Sequence, residues 1–429
     1  MKIAQLHSLF LECRAISTDT RKIEFNDMFF ALKGENFNGN KYAEQAIQRG
    51  AKYCVIDEEE FNTSSQTILV TNVLETLQEL ATYHRNYLKL PIIALTGSNG
   101  KTTTKELINA TLSKKYKTTA TIGNLNNHIG VPLTLLSMTK NTEIGIVEMG
   151  ANHLKEIEVL CKIAQPDFGY ITNFGKAHLE GFGSVEGVIK GKSEMHDYLI
   201  ANNKTIFVNG SDAIQLEKTA NTNRIVFGET EGFDITIQFI EAQPNVKLNY
   251  NQLTIQSQLI GAYNFNNIAA AITIANHFKI DDNDIKTSIE NYSPTNNRSQ
   301  VINKETCKII LDAYNANPTS MQAALSNFDK LNDSNKIAII GDMFELGKDA
   351  KEEHENIVKL STSLNINKLI VIGENFFNTQ TTVDNLLKFR SFNDFKANFN
   401  IKDLNHATLL IKGSRGMAME RILDLLKLK

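Results

Sequence analysis

Between Pro91 and Lys105 the chain reads Pro-Ile-Ile-Ala-Leu-Thr-Gly-Ser-Asn-Gly-Lys-Thr-Thr-Thr-Lys, an apolar strand that runs into a glycine-bearing turn and then a helix beginning near Lys101. This order suits a nucleotide phosphate. Gly97 and Gly100, with Ser98 and Asn99 between them, let the backbone curl around phosphate oxygens, while the free N–H groups and positive dipole end of the helix face the anion. Lys101 supplies a neutralising charge, the Thr102 hydroxyl reaches Mg²⁺, and Thr103 is counted with the ATP-binding loop. The longer form of the motif carries a further glycine where Leu95 stands here. A polar strand-to-helix turn is the plainer reading, but the flanking strand and helix favour phosphate.

Open α/β sheets bind ligands at the carboxyl ends of their strands, so metal ligands and substrate groups are sought at neighbouring strand ends. In Ile144-Gly-Ile-Val-Glu148, the carboxylate stands where a buried strand stops and suits Mg²⁺ beside phosphates; an ion-paired or helix-capping acid is its ordinary role. The strand Gly169-Tyr-Ile-Thr-Asn173 leads to a loop holding His178 and Glu180 among glycines. His178 is a ligand-capable imidazole there, though a lone His is more often a satisfied surface or core residue. Gly123-Asn-Leu-Asn-Asn127 offers the amides of Asn124, Asn126 and Asn127, able to bridge phosphate oxygens and a second substrate, or simply to form turns. Asp312, at the end of Ile309-Ile-Leu-Asp312, is placed to accept hydrogen bonds from a ribose.

The elements that must position these groups alternate short β-rich runs with amphipathic helical stretches, which predicts an α/β fold with mainly parallel sheets. Strands are expected at 27–32, 53–56, 67–70, 92–96, 144–148, 169–173, 205–208, 309–312, 337–340 and 368–372, and helices at 42–49, 73–87, 101–114, 185–200, 266–278 and 321–331. From Phe233 to Leu259 the period shifts toward two, which predicts antiparallel hairpin strands around a turn at Asn249–Gln252. A length of 429 residues exceeds one hydrophobic core. Breaks near Lys89 and in the polar segment Tyr292–Arg298 divide the chain into three expected domains, 1–89, 90–293 and 294–429.

A formal net charge of -3 without like-charge blocks gives no nucleic-acid surface, and the absence of a long apolar run argues against a membrane-embedded protein. A cytoplasmic location is expected. Cys13, Cys54, Cys161 and Cys307 lack metal-site spacing and are expected as core or semi-buried thiols.

Taken together, these segments resemble the Mur ligase family along the whole chain. The resemblance rests on Ser17-Thr-Asp-Thr-Arg21, Phe29-Phe-Ala-Leu-Lys-Gly34, the phosphate loop, Gly123–Asn127, Glu148-Met-Gly-Ala-Asn-His153, Ala177-His-Leu-Glu180, Gly191-Lys-Ser-Glu194, Tyr263-Asn-Phe-Asn-Asn267, Asp312-Ala-Tyr-Asn-Ala-Asn-Pro318, Gly341-Asp-Met-Phe-Glu-Leu-Gly347 and Lys412-Gly-Ser-Arg-Gly-Met417. The family's own short loop also accounts for Leu95. The resemblance implies a three-domain architecture: an N-terminal domain for the UDP part of the substrate, a central P-loop ATPase domain, and a C-terminal Rossmann-like domain for the incoming amine. It further implies an enzyme that uses ATP to join an amino acid or peptide to the carboxylate of a nucleotide-linked peptide. The segments at Gly123, Asp312 and Gly341 point to D-alanyl-D-alanine and UDP-N-acetylmuramoyl-tripeptide. The alternatives are a relative that adds the third stem-peptide residue, a folylpolyglutamate-type ligase, or a nucleotide-controlled switch that ligates nothing.

Carried onto this chain, the resemblance gives Lys101 and Thr102 the ATP phosphates, and Thr102 with Glu148 one Mg²⁺. His178 becomes a ligand of a second Mg²⁺, and Lys192 a lysine carboxylated by CO₂, although by sequence alone Lys192 reads as a solvated helix lysine. Asn264 falls on the adenine side, Arg298 on phosphate and Asp312 on ribose. Ser17, Asp19, Arg21, Lys33 and Gly34 fall in the uridine-diphosphate region, with Asn124, Asn126, Asn127, Asn315 and Asn317 beside the substrates. A monomer is expected.

Overall fold

The computed structural model describes residues 2–304 and 306–427. Nearest the N-terminus, a four-stranded parallel sheet places Ile16–Ser17, Met28–Phe30, Tyr53–Ile56 and Thr67–Leu69 in that order. Helix Val73–Leu88 follows, its start capped by the Asn72 side chain, which accepts from Leu74 N and Glu75 N; it ends at Lys89 in a left-handed conformation. This helix lies against Gly130–Leu136 and Glu156–Ala164 of the next layer. Arg85 fixes the contact by donating to Asp167 Oδ2 at 2.7 Å and to Gln165 O at 3.0 Å.

The central sheet has seven parallel strands, ordered Ile235–Thr236, Arg224–Gly228, Thr205–Asn209, Phe168–Ile171, Ile92–Thr96, Ile144–Glu148 and Thr118–Ala120. Ile92–Thr96 and Ile144–Glu148 are buried at every residue, which is why they read as continuous apolar runs rather than alternations. On one face, Leu107, Ile108, Ile268 and Ile272 form a core between helices Lys101–Leu112 and Asn264–His277. On the other, an apolar cluster runs from Phe30 and Leu77 through Val147 and Met195 to Leu325 and Val371, joining all three layers.

The C-terminal sheet runs Gln300–Asn303, Cys307–Asp312, Ala407–Lys412, Lys336–Gly341, Lys368–Ile372 and Leu386–Phe389. Only its first pair is antiparallel. Three strands here, Gln300–Asn303, Leu386–Phe389 and Ala407–Lys412, lie outside the expected set. Gln300–Asn303 is a strand inside a stretch with no strong periodicity, and the last strand, Ala407–Lys412, inserts between two strands formed much earlier in the chain. The expected hairpin is a three-stranded antiparallel sheet of Gln238–Glu241, Lys247–Tyr250 and Leu253–Gln256. Its turn is narrower than expected: Asn249 and Tyr250 stay in the strand, and Asn251 and Gln252, at φ 47° and 64°, make the reversal. Cys13 is half-buried and the other cysteines are buried, all as free thiols.

Two histidines are held neutral by burial. His196, 1% exposed, has its pKa lowered to about 4 by burial and then by Lys218. His7 is also lowered to about 4, by burial and then by His84, whose ring it meets at 2.9 Å. Because the folded values lie below the unfolded value near 6.5, the unfolded chain binds more protons across that window. Stability is therefore expected to be full above pH 6.5 and to decline as pH falls toward 4, read as a falling urea midpoint. His196→Leu should lose less over the same span; an equal loss would remove His196 from the account.

Candidate functional site

The phosphate loop is built from backbone that glycine tolerates best. Gly97 has φ +139°, and a Cβ there would stand 2.0 Å from Thr172 Oγ1; Gly100 has φ +82°, and its Cβ would meet Asn267 Oδ1 at 2.5 Å. Hydrogen bonds tie the loop to the neighbouring strand end: Ser98 N donates to Asn173 O at 3.0 Å, Asn99 N to Asn173 Oδ1 at 3.1 Å, and Ser98 Oγ to Gly175 O at 2.8 Å. Lys101 folds back over the loop, its Nζ 2.6 Å from Gly97 O. Burial lowers its pKa to about 8, partly opposed by Glu148 and reinforced by Arg298. A bound anion would answer that exposed need for negative charge.

Glu148, 1% exposed, ends the adjacent strand. Its Oε2 accepts from Thr102 Oγ1 at 2.9 Å and its Oε1 from Asn126 Nδ2 at 2.9 Å. The structure therefore brings together three residues separately singled out in the sequence. A hydroxyl, a carboxylate and an amide oxygen are hard donors of the kind Mg²⁺ takes. Among the described residues no three His, Cys, Asp or Glu side chains gather as a metal cage.

Lys192 departs from the solvated lysine its sequence suggests. It is 1% exposed, donates from Nζ to Ala151 O at 2.8 Å and lies 5.1 Å from the Phe182 ring centroid. Burial, then the Lys101 charge, push its amine well below the ordinary value, with Glu156 and Glu194 opposing. Helical period alone could not show this, because the helix Val185–Ala201 is covered on the Gly191–His196 stretch by neighbouring segments.

Lys101, Asn126 and Glu148 border one cavity of about 830 Å³, which Thr102 and Lys192 do not line. Ser98, Asn99, Gly100, Lys101 and Thr103 form one wall, Asn124, Asn126, Asn127 and Glu148 a second, and His178, Asn264, Arg298, Asp312, Asn315 and Asn317 a third. Arg298 stacks over the Tyr314 ring at 3.8 Å, and its buried Nε has no partner among the described residues. Asn264 donates to Ile260 O and accepts from Asn267, each at 2.8 Å. Asn127 accepts from Gly130 N at 2.9 Å, while Asn317 caps Pro318–Asp329 and donates to Asn99 Oδ1 at 2.8 Å. Asp312 is already engaged: Oδ2 accepts from Lys412 Nζ at 2.6 Å and Oδ1 from Ser299 N at 3.1 Å. His178 meets the carboxylate of Glu345 through Nδ1, a contact that holds the Glu345 carboxyl below its ordinary value.

Ser17, Asp19, Arg21, Lys33 and Gly34 do not line this cavity. Asp19 and Arg21 pair with each other at 2.9 Å, and Lys33 pairs with Asp57 at 3.0 Å. Sequence reasoning left Lys412, Tyr314, Asn267 and Glu345 without a role, although all four sit in segments whose order carried the family resemblance.

Three parallel layers, a phosphate loop and a hard-donor pair at adjoining strand ends define a nucleotide-using α/β enzyme of three-domain form. Residues 12–91 match the model of the Mur ligase family catalytic domain, 95–275 the Mur ligase middle domain, and 297–415 the Mur ligase glutamate ligase domain. The chain belongs to the Mur ligase family. It is 33% identical to the UDP-N-acetylmuramoyl-tripeptide--D-alanyl-D-alanine ligase of Bacillus subtilis (strain 168), over 95% of this chain and 92% of that protein. Its fold matches the crystal structure of MurF from Acinetobacter baumannii with a TM-score of 0.86 at 29% identity, covering 100% of this chain and 99% of that one. MurF ligase from Thermotoga maritima, in complex with ADP, matches at 0.84 and 26% identity, covering 100% and 98%. No helix of the described residues is long and apolar enough to cross a membrane.

Gly97→Ala is expected to push the loop off Thr172 and weaken ADP binding by at least about tenfold, or about 1.4 kcal/mol, measured by calorimetry. An unchanged affinity would show that the close approach is not what shapes the site.

Proposed function

We propose that the chain is an ATP-dependent ligase that adds D-alanyl-D-alanine to UDP-N-acetylmuramoyl-tripeptide through an acyl phosphate, in cytoplasmic synthesis of peptidoglycan precursors. The observation that carries this reading is the one cavity lined by the phosphate loop, by Glu148, which Thr102 holds from behind, and by the Asp312–Asn317 segment. The full-length likeness to ligases of that name supports the choice of substrates.

A carboxylate is a poor electrophile toward an amine, so the tripeptide carboxylate attacks the γ-phosphate of ATP and releases ADP. Both reactants are anions, and they approach only where positive charge is already fixed. Lys101 stands at the loop, and Arg298, stacked on Tyr314, lines the same cavity. The amine of D-alanyl-D-alanine then attacks the acyl carbon, and the tetrahedral species collapses to peptide and phosphate. Asn99, hydrogen-bonded to Asn317, keeps the loop and the third wall in register during both steps.

Thr102 and Glu148 would hold one Mg²⁺, and His178 with a carboxylated Lys192 a second; when bound, these ions neutralise phosphate charge. The fit of Lys192 rests on its burial: CO₂ adds to a neutral amine, and burial favours that form. Asn264 takes the adenine side and Asp312 the ribose. Residues 1–89, with Ser17, Asp19, Arg21, Lys33 and Gly34, receive the UDP moiety; 90–293 bind ATP and 294–429 bring the dipeptide. The enzyme works as a monomer.

Purified protein given UDP-N-acetylmuramoyl-tripeptide, D-alanyl-D-alanine and ATP is expected to release phosphate and form the new amide in equal amounts; ATP consumption without amide would end this reading. Lys101→Ala should lower turnover by about a hundredfold or more, since it removes charge needed where negative charge develops. For Lys192→Ala, turnover is expected to fall and to recover when short carboxylic acids are added. Lack of recovery, with the variant folded, would count against carboxylation.

A further inference from the structure

Glu345 and His178 meet in an unusual way. Both are non-glycine residues in left-handed backbone, at φ +61° and +54°, a conformation that costs about 1 kcal/mol or more and persists only where surroundings impose it. They belong to different layers: His178 follows the central strand Phe168–Ile171, and Glu345 follows the C-terminal strand Lys336–Gly341. Their contact is double. The Glu345 carboxylate takes His178 Nδ1, and the Glu345 carbonyl accepts from Glu180 N at 3.1 Å.

The segment carrying Glu345 is fixed on both sides. Met343 N donates to Nε2 of fully buried His354 at 3.0 Å, Phe344 N donates to Ser414 Oγ at 2.9 Å, and Leu346 is 2% exposed. Glu345 faces the central layer, with its side chain half exposed, and Gly347 packs beside it against Glu180. The consequence for His178 is chemical. With Nδ1–H donated to a carboxylate, a neutral imidazole carries its lone pair on Nε2, and among the described residues Nε2 has no hydrogen-bond partner. His178 also lines the cavity.

The geometry points to Glu345 as a positioning residue: it fixes the tautomer and orientation of His178 from the C-terminal layer, so that the metal-binding nitrogen is presented only when that layer is docked. This deepens the proposed function and rests on it in taking His178 as a metal ligand. It explains why two strained residues are retained at one contact, and how arrival of the dipeptide-carrying layer would complete the phosphate site. A carboxylate behind a ligating imidazole typically changes metal affinity or activity by about 10- to 100-fold.

The test is Mn²⁺ binding to the full chain with ADP present, followed by electron paramagnetic resonance, for wild type, Glu345→Ala, Glu345→Gln and Lys176→Ala. Lys176 bonds Glu353 across the same boundary at 2.7 Å without touching His178, so it controls for loosened docking. Glu345→Ala is expected to weaken Mn²⁺ by about 10- to 100-fold with metal-free ADP affinity unchanged. Glu345→Gln should weaken it far less, because an amide oxygen still accepts the Nδ1 proton, and Lys176→Ala should leave it as in wild type. Wild-type affinity in Glu345→Ala, or an equal loss in Lys176→Ala, would overturn the assignment. If Glu345→Ala does not fold, Glu345→Asp, one methylene short of the ring, takes its place with the same expected loss, and wild-type affinity there overturns the assignment too. Wild-type amide formation, measured alongside, separates failure of the functional reading from failure of this one.

Discussion

A carboxylate held almost wholly out of water organises this molecule. Glu148 carries its charge at the end of an interior strand, and burial of that kind is tolerable only when both oxygens are answered. Thr102 answers one and Asn126 the other, so the first turn of the phosphate-loop helix, the Asn-rich loop and the strand end are drawn to a single point. Removing either partner would leave a buried acceptor unsatisfied, a penalty of about 1–3 kcal/mol or more for a charged group. The arrangement thus fixes the Glu148 carboxylate in place through the phosphate-loop helix and the Asn-rich loop.

The second organising demand is that two layers close on a third wall without a large apolar seal at the cavity. Polar links do this work at its rim: Asn99 with Asn317, Lys176 with Glu353 and with Thr319, His178 with Glu345. Beneath them the apolar cluster continues from Val147 to Leu325.

Much of this was readable along the chain. Ile92–Thr96, Tyr53–Ile56, Ile144–Glu148 and Lys368–Ile372 lie where their apolar runs place them, because fully buried parallel strands leave a strong local signature. Helix Val73–Leu88 was equally plain as an amphipathic stretch, and the structure adds its Asn72 cap. Gln300–Asn303 was not: its half-exposed residues give neither alternation nor an apolar run, and it exists because Cys307–Asp312 offers a partner. Lys192 misled for a related reason, since a lysine on a helix carries no mark of what will later cover it.

The order of residues alone determined the phosphate loop, the strand-end acid, the asparagine-rich turn and the run of family segments, since each depends on neighbours a few positions away. Tertiary structure decided which of these meet. It placed Lys412 on Asp312 by threading Ala407–Lys412 beside a strand laid down a hundred residues earlier. It also buried Lys192 and set Glu345 against His178. Those outcomes turn on desolvation and on contacts between distant segments, and such quantities come into being only when the chain has closed on itself.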